Sequence, residues 1–433
     1  MGDIYLRRKS FSYYTYFLCF SCGFFITTLA LSVYLTGIPF LSALLVLAIF
    51  MVAVLLPTKY SLATFVFLLP NQRLIVMSEG GASLLNIFLV SMLLKLFFFD
   101  KFHLFFKSAL LTPFFFWLIV CVFSLYYVTI TNSSYDTFLY VKMILFIGLS
   151  GMIVFHLRTV EQFTVLLYCY AVGIIVSIVL GALLGSDSLS GRIGPIYSGP
   201  NQFVVHASFI LSFFSLVAIT SKLPLSAYLL VFCIVVLGLL TQSRSFLLSI
   251  LIICFFVGAY TFKGSVKSVV MFVFGFFVFM LFFYFLISYT SLGDVFDSTL
   301  DRVVNPRQGD ISNNRFDLWL AYLFFWLSDF RSILLGFGSY NITERLGVDE
   351  VAHNFIIEAL VSYGVIGFLL TILFLRSLWK MSLQGVRRDK IILLLPLLIT
   401  IQVALTGHGL MSIVFALQVV LLARYISIIS SAR

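Results

Sequence analysis

Long apolar runs separated by short polar turns fill most of this chain. A bilayer core asks for about 20 apolar residues per helix. Measured against that length, the runs predict spans near 12–35, 38–56, 60–76, 82–99, 110–130, 137–155 and 160–184. They continue at 199–220, 224–241, 244–262, 267–290, 353–376, 390–406 and 409–428, making fourteen. The third is the weakest, because Pro70 breaks it and Asn71, Gln72 and Arg73 follow; it is expected to be half-inserted. The expected fold is therefore all-α, a polytopic integral membrane protein whose residues 1–433 form one helical domain.

Composition agrees with the pattern. The chain is 62% hydrophobic and 10% charged, with mean hydropathy +1.13, whereas soluble domains are near 45–50% apolar and about 25% charged. Lipid must be the solvent for much of this surface. The start, MGDIYLRRKS, is basic and runs into a span longer than a signal-peptide core, so the first span is expected to be retained. Cys19, Cys22, Cys121, Cys169, Cys233 and Cys254 all fall in apolar segments. Cys19 and Cys22 spell C-x-x-C, but no second pair or histidine stands near them to complete a tetrahedral site, and they are expected to pack as small apolar residues.

The net charge of +10 hides a partition. With Arg7, Arg8 and Lys9 on the cytoplasmic side, alternation of the spans puts both termini inside. The outer face then receives Arg73, Lys142, Arg192, Arg244, Arg302, Arg307, Arg315, Arg331 and Arg345, of which all but Lys142 are arginine. Topology does not ask for arginine there. Its planar fork suits phosphate and carboxylate, although ion pairing with nearby acids would also account for single residues.

One connection departs from the short turns. Residues 291–352 hold 14 of the chain's 44 charged residues and form the expected long periplasmic loop. Within it Arg315, Trp319, Tyr322 and Trp326 recur at i, i+4, i+7 and i+11, which makes one helical face. The aromatics suit a membrane interface, and packing beneath the loop is an equal alternative.

Nucleotide chemistry finds no support. There is no Walker motif, no strand–GxGxxG–helix context, no HExxH and no Asp-x-Asp pair. Gly336-Phe337-Gly338 and Gly191-Arg192-Ile193-Gly194 are more simply turns, and Asp297 and Asp301 solvated charges. What remains is polar residues at the outer ends of helices: Ser190 to Pro195 with Pro200-Asn201, the turn Thr241-Gln242-Ser243-Arg244-Ser245, Asn314-Arg315, and Ala352-His353-Asn354 with Glu358.

His353 stands out. The positive end of a helix disfavours an imidazolium, so a histidine there tends to be neutral and able to accept a proton. Glu358 lies five residues deeper and needs a partner at that depth. His408, in the outer turn Thr406-Gly407-His408-Gly409, could reach the same face. His206, about two turns inside its helix, is expected to bond a neighbouring helix, and His103 and His156 fall on the cytoplasmic side.

These segments resemble the O-antigen polymerase and ligase superfamily of bacterial envelope glycosyltransferases. The similar elements are GRIGPIYSGPN (191–201), TQSRS (241–245), NRFDLWLAY (314–322), LLGFGSYN (334–341) and AHNFIIEALVSYGVIG (352–367). The resemblance implies a GT-C-like membrane fold in the bacterial inner membrane and a glycan carried on undecaprenyl pyrophosphate as both donor and acceptor. It also implies transfer on the periplasmic side, with no cofactor, metal or nucleic acid. Arg192, Arg244 and Arg315 would hold the pyrophosphate, with Asn201, Asn354 and His408 as further substrate contacts. His353 would position or deprotonate the acceptor hydroxyl, and Glu358 would orient a catalytic partner. Membrane lipid, a chain-length regulator and a flippase are the implied partners. Two activities share these motifs, polymerisation of repeat units and ligation of polymer to a lipid A-core. A flippase is the alternative of another class, though it would be expected to line a central cavity with its charges.

Overall fold

The computed structural model describes residues 13–71, 84–99, 153, 156–184, 200–220, 223–241, 243–262, 270, 315–337, 342, 346–347, 352, 354–383, 390–406 and 413–431. Every regular element among them is helical, as lipid demands of a backbone that must pair its own polar groups. The helices are α1 (Tyr13–Thr36), α2 (Pro39–Leu55), α3 (Thr58–Leu68), α4 (Leu84–Phe99), α5 (Val160–Leu184), α6 (Pro200–Thr220) and α7 (Leu225–Leu240). They continue with α8 (Arg244–Phe262), α9 (Arg315–Trp326), α10 (Phe330–Leu335), α11 (Phe355–Leu383), α12 (Lys390–Leu393), α13 (Leu395–Thr406) and α14 (Ile413–Ser431). Among the described residues four segments are long and apolar enough to cross a membrane, Phe17–Thr36, Val160–Leu184, Phe203–Thr220 and Phe355–Lys380. Shorter apolar helices occupy the other described runs. The span expected at 110–130, and nearly all of 137–155 and 267–290, lie outside the described residues.

The weak third span is a short helix closed in by protein. Residues 61–71 are all buried, and the eleven residues of α3 reach only about 16 Å at 1.5 Å each, half a bilayer core. Its backbone ends beneath the surface, where polar groups must find partners in the protein. Ser177 of α5 donates its hydroxyl to the Pro70 carbonyl at 2.9 Å, and the Asn71 amide donates to the Gly173 carbonyl at 3.4 Å. Gly173 permits this approach, since a Cβ there would sit 2.1 Å from the Phe67 carbonyl oxygen. Cys19 belongs to the same packing, its thiol 3.9 Å from the Tyr60 carbonyl of α3.

α6 is the central helix, packed on α5, α7, α8, α13 and α14 and buried without interruption from Phe203 to Phe214. His206 bonds a neighbouring helix, as expected, with its Nδ1 2.6 Å from the Tyr170 hydroxyl of α5. Gln418 of α14 donates to the Val205 carbonyl at 3.1 Å, so His206 and the Val205 carbonyl both find partners on neighbouring helices. At the far end of α6, the Thr220 hydroxyl lies 2.6 Å from that of Tyr425, and Arg424 Nε donates to the Leu157 carbonyl at 2.6 Å. A capping box opens α5 there. Thr159 Oγ1 accepts from the Gln162 amide, while Gln162 Oε1 accepts from the backbone of Arg158 and Thr159.

α11 is broken rather than continuous. Gly364 has φ +63 and ψ −172 inside it, which frees the Val361 carbonyl from its helical partner. The Phe337 amide takes that carbonyl at 2.8 Å. The turn after α10 and the break in α11 thus dock backbone to backbone. A Cβ on Gly364 would lie 2.3 Å from the Leu334 carbonyl group, and one on Gly336 (φ +76) 2.4 Å from the Ser362–Tyr363 peptide. Gly364→Ala is therefore expected to lose about 1–3 kcal/mol from the dihedral alone, with the clash in addition. A fall in the thermal midpoint of the detergent-solubilised protein checks this.

Candidate functional site

The turn between α7 and α8 is held from a distant part of the chain. Its first bonds are local: Thr241 Oγ1 donates to the Gly238 carbonyl at 2.6 Å, and the Ser243 carbonyl accepts the amides of Phe246 and Leu247. The decisive partner is Gln402 of α13. Its Nε2 donates to the Ser245 carbonyl at 3.2 Å and to Ser245 Oγ at 2.9 Å, and its Oε1 accepts the Ser249 hydroxyl at 2.6 Å. One buried amide therefore spends both ends on the first turns of α8. In an apolar surround such a bracket is stabilising because each group, left alone, would be costly.

Phe246 completes the joint. Its ring fills the space left by Gly238 in α7, where a Cβ would come within 2.0 Å of it. It also meets Phe203 of α6 with ring centroids 6.1 Å apart. Phe203 stands two residues after Asn201, and Phe246 two after Arg244. The N-termini of α6 and α8 and the C-terminal turn of α13 therefore converge at one end of the bundle. Two helix N-termini side by side bring partial positive charge to one place, which favours an anion.

α9 organises the second group. Trp319 Nε1 donates to the Ala352 carbonyl at 2.8 Å, and the Tyr322 phenol shares a backbone hydrogen bond with the same residue. Ala352 is fully buried and immediately precedes His353. Burial, followed by the nearby Glu358 carboxylate, pushes the Tyr322 phenol up to about 12, against the pull of its bond with Ala352. Tyr322 thus keeps its proton at physiological pH, so it can donate a hydrogen bond but not act as a base. Phe325 stacks on Phe337 with centroids 4.2 Å apart, tying α9 to the turn docked at the α11 break.

Of the two placements open to the Trp319–Tyr322–Trp326 face, packing is the one found. Those side chains join Ile342, Ala352, Ile357 and Val361 in a small core of their own. The opposite face of α11, with Phe355, Ala359 and Tyr363, joins the main core. Glu358 falls on the seam between the two, beside Tyr322. Asn354 caps the helix, its Oδ1 accepting the amides of Ile356 at 3.0 Å and Ile357 at 3.4 Å.

The expected site residues are thus described unequally. Glu358 and Asn354 are seen in full. The backbones of Asn201, Arg244 and Arg315 open α6, α8 and α9, while their side chains lie outside the described residues, as do Arg192, His353 and His408. α13 packs on both α8 and α11, the helices that carry the two groups. Gln402 went unnoticed among apolar neighbours. Its signal was simply that an amide within a membrane helix needs a partner.

The clamp on Ala352 is testable by itself. Trp319→Phe keeps the ring but strands a buried carbonyl, at a cost of about 1–3 kcal/mol. Expected results are a lower thermal midpoint and, if the next residue acts in chemistry, an activity loss of up to roughly 10²-fold from misplacement.

A family model described as O-antigen ligase matches residues 229–372, a stretch running from α7 through the break in α11. It spans about a third of the chain and contains the Ser245 turn, α9 and the clamp on Ala352. No curated protein matches the sequence.

Proposed function

With residues 229–372 carrying the match to the O-antigen ligase family, consistent with the O-antigen polymerase and ligase superfamily, we propose that this membrane protein is a nucleotide-independent glycosyltransferase. It polymerises oligosaccharide repeat units carried on undecaprenyl pyrophosphate into O-antigen or capsular polysaccharide. The observation that supports the proposal is the gathering of the α6 and α8 N-termini, braced by Gln402 of α13, a helix that also packs on α11, whose start follows the clamped peptide preceding His353.

In the reaction, a hydroxyl of the acceptor sugar attacks the anomeric carbon of the donor glycan. The bond from that carbon to the pyrophosphate oxygen breaks, and polyprenyl pyrophosphate leaves with the bonding electrons. His353 takes the proton from the attacking hydroxyl. Arg192, Arg244 and Arg315 hold the pyrophosphate and oppose its developing charge, which a low-dielectric site makes effective. Tyr322 and Glu358 orient the His353 end of α11; Asn201, Asn354 and His408 complete the contacts to substrate. The chain has about fourteen spans, both termini in the cytoplasm, and a site facing the periplasm under the 291–352 loop.

Deletion in a Gram-negative host followed by gel analysis of envelope glycans tests the proposal. A polymerase leaves lipid A-core bearing one repeat. Unmodified core with accumulated lipid-linked polymer would instead identify a ligase, the second reading, which the family match over residues 229–372 does not separate from the first. Single repeats stranded on the inner leaflet would identify a flippase and overturn glycosyl transfer.

A further inference from the structure

α9 carries apolar side chains on two opposite faces, one packed against protein and the other largely exposed. Trp319, Tyr322, Phe325 and Trp326 turn inward. On the other side Phe316, Leu320, Phe324 and Leu327 recur at i, i+4, i+8 and i+11, one stripe at the helical period. Phe316 is 60% and Phe324 69% exposed, and Phe330, at the start of α10, is 74% exposed. At 150–250 Å² per aromatic side chain, these three leave roughly 400 Å² of apolar surface uncovered. That is on the scale of the largest apolar patch of a typical soluble monomer.

The surroundings indicate what covers it. The four stripe positions are all apolar; the exposed Asp317 stands at the edge of the stripe in the first turn of α9, and the exposed Asp329 and Arg331 come only after α9 has ended. The make-up matches the outward face of α2, where Phe40, Leu47, Met51 and Leu55 are exposed in the same way. The stripe also continues an apolar surface. α9 packs on α11, whose Ile356 and, beyond the break, Leu369 and Leu373 are exposed.

We propose that α9 is seated in the membrane with its Phe316–Leu320–Phe324–Leu327 stripe against the acyl chains of the bilayer. The helix then bridges two environments, lipid on one side and the Ala352 clamp on the other. Its tryptophans, which by sequence suit an interface, are the packed side; the phenylalanines meet the lipid. Membrane residence is all this requires, so it stands or falls independently of glycosyl transfer.

Spin labels test the placement in the full chain reconstituted in phosphatidylethanolamine/phosphatidylglycerol vesicles. In a background with the six native cysteines replaced, labels at Leu320→Cys and Phe324→Cys should collide readily with oxygen and poorly with a water-soluble nickel chelate. A label at Asp329→Cys should show more nickel contact. High nickel contact at 320 and 324 would put the stripe in water and overturn the proposal. Low contact with both reagents would mean that protein covers it, which also overturns it. As a check that keeps the native cysteines, benzoyl-phenylalanine incorporated in place of Phe324 should photocrosslink to lipid. Crosslinking to protein, or none at all, would contradict the assignment.

Discussion

The Arg244→Ala variant is expected to lose roughly 10²- to 10³-fold in glycan extension, the usual effect of removing one donor aimed at developing charge. Its abundance in the membrane should stay unchanged, because Ser245, Ser249, Gln402 and Phe246 hold the joint beside it. Arg244→Lys should recover only part of the loss, since a point charge replaces the bidentate fork. The joint itself can be probed through Gln402→Leu, which keeps approximate bulk but leaves Ser245 and Ser249 without their shared partner. That variant should show reduced extension with Arg244 intact, accompanied by a lower thermal midpoint. If Arg244→Ala extends glycans at the native rate, the arginine does not serve the pyrophosphate.

His353→Ala is the second large effect. A positioned base contributes roughly 10²- to 10⁴-fold, and a loss in that range is expected with donor binding retained. The pH profile separates the histidine's possible roles. A residue that must be neutral to accept a proton gives a rate falling on the acid side, and that limb should vanish in His353→Ala and in His353→Gln. Tyr322, with its phenol pushed up to about 12, adds no limb in the physiological range. Residual activity that kept the acid limb unchanged would remove His353 from the proton transfer.

Apolar run length made most of the described fold legible. The span expected at 244–262 coincides with α8 and that at 160–184 with α5, while 38–56, 199–220 and 224–241 miss their helices by a residue or so. Hydropathy alone could not show that α3 is closed in by protein, because burial on every side by α1, α2, α4 and α5 looks the same in sequence as burial in lipid. Nor could it reveal the break at Gly364, which depends on the Phe337 amide arriving from the turn after α10. Helical spacing grouped Trp319 with Tyr322 correctly, but it could not say which face of α9 would be packed when both were apolar. The least legible feature was Gln402. Its three partners lie more than 150 residues earlier in the chain.

Reconstitution tests the central claim most directly. The purified chain, in lipid vesicles with undecaprenyl-pyrophosphate-linked repeat units and no nucleotide or other protein, should produce a ladder of longer glycans and release undecaprenyl pyrophosphate in step with it. Both should disappear in Arg244→Ala and His353→Ala. Repeat units that cross the bilayer at full rate, with no new glycosidic bond and no pyrophosphate released, would contradict glycosyl transfer.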